Sequence, residues 1–142
     1  MKTLIYRASG LALLVILAAT GTAIAQDAMA AQDVPAVETA NIGADELMSR
    51  IEAETAPTIL DVRTPEEFAA GHVPGAINIP YTELEERYSE LELEGSDELV
   101  VYCQSGRRAA IAEAALSELG FTNVRDLDGH IAAWKQAERP LE

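Results

Sequence analysis

An α/β domain built on a largely parallel sheet is the fold class this sequence predicts, and three observations predict it. Short β-rich apolar runs at 58–62, 76–79, 99–102 and 124–127 alternate with segments of helical spacing. Parallel neighbours need a crossover between them, and a helix supplies it. Gly and Pro punctuate the junctions, where such crossovers turn. The chain of 142 residues, 49% hydrophobic and 24% charged, holds one domain's worth of core.

The first 25 residues differ from the rest. Lys2 and Arg7 precede the uncharged run Leu11 to Ala19, and the stretch ends Ala23-Ile24-Ala25, the layout of a cleavable signal peptide. Ser9, Gly10, Thr20, Gly21 and Thr22 confine the strongly apolar part to nine residues, against the roughly 20 that a spanning helix needs. Residues 1–25 are therefore expected to be a signal peptide cleaved after Ala25. The mature protein is expected to be periplasmic or secreted, with no stable membrane span. Residues 26–41 are Ala-rich, include Val34-Pro35 and show no periodicity, so they read as a flexible leader. The folded domain is placed at 42–142.

Within it, Leu47, Met48, Ile51 and Glu54 give a short amphipathic helix beginning near Asp45, and Thr58 to Val62 a buried strand. Thr64-Pro65-Glu66-Glu67 combines a capping Thr, Pro at the first helical position and Glu three after the cap, so a helix starts there and stops at Gly71. His72-Val73-Pro74-Gly75 is a turn into the small strand Ala76 to Ile79. Tyr81 to Leu91 reads as one acidic amphipathic helix, and Leu99 to Tyr102 as a second buried strand. A helix from about Arg108 to Leu119 is closed by Gly120, followed by a strand at Val124 to Leu127 and a last helix at Ile131 to Gln136.

Charge and cysteine usage exclude several functions. With 24 acidic against 10 basic side chains the net charge is −14, a field that repels a phosphate backbone, so nucleic acid is not an expected partner. Cys103 has no second Cys to pair with, and His72 and His130 have no Cys pair near them, so neither an internal disulfide nor a zinc site is expected.

Cys103 stands at the end of the strand Leu99 to Tyr102, before Gln104-Ser105-Gly106-Arg107-Arg108 and an Ala-rich helix. That is the carboxyl edge of a parallel strand, where α/β proteins place ligands. A sulfur there faces backbone N–H groups of the turn and the positive end of the next helix, while Arg107 and Arg108 add two cations. Each favours sulfur as an anion. A dithiol cycle within the chain is excluded without a second Cys. A bowl of amide hydrogens can instead hold the terminal sulfur of a persulfide, Cys103–S–S⁻, with no metal or base. A buried structural Cys would not call for the polar and cationic run that follows it. Arg108 reads as a pocket residue, and Arg107 equally as pocket or solvated charge. Asp61 reads as structural, Arg63 is left open, His72 fixes its turn, Trp134 belongs to the core, and the acidic run Glu83 to Glu94 is a solvated face.

Three motifs then stand in order: Asp61-Val62-Arg63-Thr64-Pro65-Glu66-Glu67-Phe68, Gly71-His72-Val73-Pro74-Gly75-Ala76-Ile77-Asn78-Ile79-Pro80, and Val101-Tyr102-Cys103-Gln104-Ser105-Gly106-Arg107-Arg108. With them the chain resembles a single-domain rhodanese from about Ile42 to Pro140. The resemblance implies a three-layer domain, a five-stranded parallel sheet with helices on both faces, and thiosulfate sulfurtransferase activity through a Cys103 persulfide. It maps the persulfide cradle onto Gln104, Ser105, Gly106, Arg107, Arg108 and Ala109, and calls for no cofactor. The implied partners are a small anionic sulfur donor and a thiol or cyanide acceptor, with a protein sulfur acceptor as a further one. Two positions depart from the family pattern. Gly129-His130 replaces a frequent Gly-Gly, placing a titratable ring where it can border the pocket, and Ala109 replaces a frequent Ser.

Other functions fit less well. A Cys-dependent phosphatase or arsenate reductase wants Arg six positions after the Cys, where Ala109 stands, and by family comparison the loop is one residue short for phosphate. A redox-sensing thiol lacks a second Cys to resolve a sulfenic acid. A sulfur carrier, loaded by one protein and unloaded by another, shares every motif and is the alternative.

Overall fold

The computed structural model describes residues 40–142, so the expected signal peptide and residues 26–39 of the expected leader lie outside the described residues. Strands β1 (Thr58–Asp61), β2 (Ile77–Asn78), β3 (Leu99–Tyr102) and β4 (Val124–Asp126) form one sheet in the order β2-β1-β3-β4. Every pairing is parallel, with Asp61 opposite Asn78 on one side and Tyr102 on the other. The connections carry helices α1 (Ala44–Glu52), α2 (Pro65–Ala69), α3 (Leu84–Arg87), α4 (Arg107–Glu118) and α5 (His130–Gln136).

Side-chain alternation along the strands divides the core into two layers. Leu99 and Val101 pack with Leu60, Leu84, Ala112 and Leu116 on the face covered by α3 and α4. Val100 and Tyr102 pack with Leu47, Ile131 and Trp134 on the face covered by α1 and α5. Cys103 continues the odd-numbered series and falls in the first layer. Trp134 is fully buried, its Nε1–H donating to the Pro140 carbonyl at 2.8 Å, and is a core residue as read from its spacing.

The sheet has four strands among the described residues, not the five that the family resemblance implies. Where a fifth would lie, pairing shrinks to one parallel bridge between Ile42 and Leu127. The Ile42 N–H donates to Asp126 O at 2.8 Å and its carbonyl accepts from Asp128 N at 3.0 Å. Gly43 is already the N-cap of α1, which leaves a single residue to pair.

The segment Tyr81 to Leu91 also departs from the one helix expected. Only Leu84–Arg87 is α-helical, followed by a 3₁₀ turn at Tyr88–Leu91 that Glu92 ends in the left-handed region. Five glutamates crowd residues 83–92 with Arg87 as their cation, and it is bound to Glu83 and Glu90. Like charges four apart weaken the remaining helix. Tightening to 3₁₀ still leaves Leu84 and Leu91 buried. By contrast α2 starts as read: the Thr64 hydroxyl accepts from the Glu67 amide and the Glu67 carboxylate from the Thr64 amide, a complete capping box with Pro65 in the first turn. No helix among the described residues is long and apolar enough to cross a membrane.

Candidate active site

The β3–α4 loop is shaped by what lies on either side of it. Cys103 is 1% exposed, and its Sγ accepts the Gly106 N–H at 3.0 Å. On the α5 side, the Ile131 amide donates to Cys103 O at 3.2 Å and the Ala132 amide to Gln104 O at 3.3 Å. These are first-turn amides with no partner inside α5, and the loop carbonyls satisfy them. Because C=O and N–H lie on opposite sides of a planar trans peptide, fixing those carbonyls aims the following Gln104 and Ser105 amides away from α5. Among the described residues, the amides of Gln104, Ser105, Arg107, Arg108 and Ala109 donate to no protein acceptor. The loop is thus a set of free N–H groups beside one sulfur, an arrangement suited to an anion.

Gly106 is required twice over. Its φ is +116°, and a Cβ there would lie 2.8 Å from His130 Nε2. His130 is 8% exposed, with φ +53°, a conformation that costs about 1 kcal/mol or more for a side chain of this kind. Its Nδ1 accepts the Cys103 N–H at 3.4 Å and lies 3.5 Å from Asp126 Oδ1. The ring therefore touches both ends of the sulfur loop, as the departure from Gly-Gly suggested.

The remaining loop residues divide. Gln104, Ser105 and Arg107 are exposed and Arg108 half-buried. With Tyr81 and Ile111 they line a shallow groove of about 430 Å³. Ala109 is different: its side chain is fully buried beside Ala112 and Leu116, so it offers the loop only its amide. A Ser hydroxyl there would sit in the core. Arg108 lines the groove, but its charge is already paired. Its guanidinium makes two bonds to the Glu67 carboxylate, at 2.6 and 2.9 Å. That pair holds Glu67 down at about 2, chiefly through the Arg108 hydrogen bond against a smaller opposing effect of burial. Arg108 is held charged first by Glu67 and also by Cys103, so it lies within the field of the sulfur.

Asp61 and Arg63 form a buried pair behind the site. Both are 1% exposed or less, and Arg63 Nε lies 2.9 and 3.0 Å from the two Asp61 oxygens. Arg63 Nη2 also donates to Gly71 O at 2.9 Å. Asn78 Nδ2 donates to the carbonyls of Asp61 and Arg63, both at 3.0 Å. Arg63 is thereby turned inward, a strand-to-turn clamp and not a lining residue of the groove. The Tyr102 hydroxyl accepts the Val73 N–H at 3.0 Å, and burial holds that phenol well above its ordinary range. His72 stacks on Phe68, its Nδ1 is 3.0 Å from Phe68 O, and its backbone pairs both ways with Glu142. It fixes the turn, as expected.

Sequence reasoning missed the second role of Glu67, whose place in the capping box already accounted for it. It also missed Glu113 and Asp126, half-buried carboxyls brought together from α4 and β4. No spacing rule links them, because only the β4 crossover makes them neighbours.

Comparison with known proteins places the chain by family and by fold. Residues 43–137 match the family model described as the rhodanese-like domain. The chain is 43% identical over 70 residues to thiosulfate sulfurtransferase PspE of Escherichia coli (strain K12), covering 49% of this chain and 67% of the relative. It is 42% identical over 95 residues to the chloroplastic thiosulfate sulfurtransferase 16 of Arabidopsis thaliana, covering 58% of this chain and 78% of the relative. Its fold is similar to the crystal structure of a rhodanese-related protein from Thermoplasma volcanium, with TM-score 0.61 and 36% identity over 72% of this chain and 96% of that one.

Proposed function

Since the chain belongs to the rhodanese-like family, we propose that it is an exported sulfurtransferase carrying sulfane sulfur on Cys103. The Cys103 thiolate attacks the outer sulfur of thiosulfate or of a persulfide donor. The new bond is Cys103 S–S, and sulfite or the donor thiolate leaves with the electron pair of the broken bond. The resulting Cys103–S–S⁻ gives its outer sulfur to a thiol or to cyanide, forming a persulfide or thiocyanate and restoring the thiolate. The single observation that carries this reading is the loop itself: one sulfur at 3.0 Å from the Gly106 amide, with its neighbouring amides unspent. Fixed N–H groups stabilise a terminal persulfide anion without reorganising as it forms. The family's own chemistry supports the donor and acceptor classes, and the basic and apolar layout of residues 1–25 supports export. Steady-state sulfur transfer to cyanide from a panel of sulfane donors tests the proposal. Cys103→Ser should reduce turnover by roughly a thousandfold or more, since no other Cys can substitute. Turnover that survives in Cys103→Ser rules it out.

The Glu67–Arg108 pair has a measurable consequence for an anionic donor. At net charge −14 the distant carboxylates are screened beyond roughly 8 Å at physiological salt, so the charges beside the loop decide. Glu67 neutralises part of what Arg108 offers. Gln at 67 can still cap α2. Glu67→Gln should therefore lower the thiosulfate KM several-fold, and Arg108→Ala should raise it. Measured at low ionic strength, two unchanged KM values would place the pair outside the donor's field.

A further inference from the structure

Behind the sulfur loop lies a cluster that the transfer reaction as described does not use. The His130 ring is wedged between the Cys103 amide and Gly106, and the Gly106 amide is the one bonded to Cys103 Sγ. On its other side stands Asp126, whose Oδ1 is buried, 3.5 Å from His130 Nδ1, and has no hydrogen-bond partner. Glu113 Oε1 is likewise buried and unpartnered. Among the described residues neither carboxyl has an arginine or lysine ion-pair partner. A carboxyl buried beside a second one without a cation favours its protonated form. Burial and Asp126 push Glu113 up to about 7, and burial raises Asp126 as well, against the opposing effect of His130.

The groups facing the ring are Asp126 on β4 and Cys103 at the end of β3, and Glu113 on α4 and Asp128 in the β4–α5 turn stand in turn by Asp126. One nitrogen, Nδ1, faces two incompatible partners. With its lone pair free and the proton on Nε2, it accepts the Cys103 N–H. With a proton on Nδ1 it donates to Asp126 Oδ1 instead, and the Cys103 amide loses its acceptor. The strained φ of +53° at His130 is what puts the ring between them.

Resting on the reading of Cys103 as the sulfur-bearing residue, we propose that His130 is a positioning residue of the loop, holding the Cys103 amide only while Nδ1 is unprotonated, and that Asp126 is the acceptor to which a proton on Nδ1 turns. The proton comes from solvent, and no bond other than N–H and O–H changes. Acidification then loosens the Cys103 end of the loop and slows sulfur loading.

The test follows the amide resonances of Cys103 and Gly106 by ¹⁵N-edited NMR across pH, together with the His130 ring protons. It uses the wild-type chain and Cys103→Ser, which removes titration of the thiol. The two amides should move in step with the ring in both, and the movement should vanish in His130→Gln. Amides that stay still while the ring titrates, or that move alike in His130→Gln, would overturn the proposal. A second reading is the thiosulfate loading rate by intact mass at about pH 6 and about pH 8. The wild type should lose a larger fraction of its rate on acidification than His130→Gln, and equal losses would count against the proposal. If no variant loads sulfur, the sulfurtransferase reading falls and the amide titration alone decides the role of His130.

Discussion

Gly106→Ala should reduce sulfur transfer by about a hundredfold while the protein still folds. A residue other than glycine at φ +116° carries backbone strain, and the added Cβ would sit 2.8 Å from His130 Nε2, so the loop or the ring must shift. Either movement displaces the Gly106 N–H from Cys103 Sγ, now at 3.0 Å. A hydrogen bond to a charged group contributes about 1.5–3 kcal/mol, and each 1.4 kcal/mol is about a factor of ten. The check is kcat/KM for thiosulfate beside a thermal melt. Combining Gly106→Ala with His130→Ala separates the causes: the steric part is relieved in the pair and the backbone part is not. A Gly106→Ala enzyme with the parent's kcat/KM would show that this amide does not serve the sulfur.

Arg63→Met should cost about 3–5 kcal/mol of folding stability, the loss typical of stranding one member of a buried ion pair. Asp61 is fully buried, and Arg63 supplies its side-chain cation and also reaches Gly71 O. Against a total stability of about 5–15 kcal/mol, that is enough to leave part of the chain unfolded at 37 °C. Urea denaturation measures it. Asp61→Leu with Arg63→Met should recover much of the loss, because no lone charge remains buried. A single-variant loss under about 1 kcal/mol would mean that the pair behaves as an exposed one.

Much of this was legible in the sequence, because local chemistry and the final fold agree. Leu99 to Tyr102 is a strand as its apolar run indicates, the Thr64 to Glu67 box opens α2, and Cys103 stands at the carboxyl edge of β3. Elements failed where the deciding interaction is remote or charge-driven. Glutamate crowding broke the expected 81–91 helix, and the start of α1 at Ala44, with Gly43 as its N-cap, cut the fifth strand to one bridge. In the site, residue identities were legible and their partners were not. Arg108 was visible as a cation beside Cys103, but Glu67 lies 41 residues away and reaches it only once α2 and α4 have docked. Ala109 counted as part of the cradle in sequence, yet the helical turn points its side chain into the core. His130 stands out in the sequence only as a ring where a small residue is usual, and its contacts with Cys103 and Asp126 come from the fold.

The central claim is that Cys103 holds an extra sulfur as an anion within its own loop. Intact mass spectrometry of the purified protein after brief exposure to thiosulfate, with sulfite measured in the same sample, tests it most directly. The expected result is a gain of about 32 Da confined to Cys103, matched mole for mole by sulfite, removed by cyanide and absent from Cys103→Ser. No gain with any sulfane donor, or the same gain in Cys103→Ser, would contradict it.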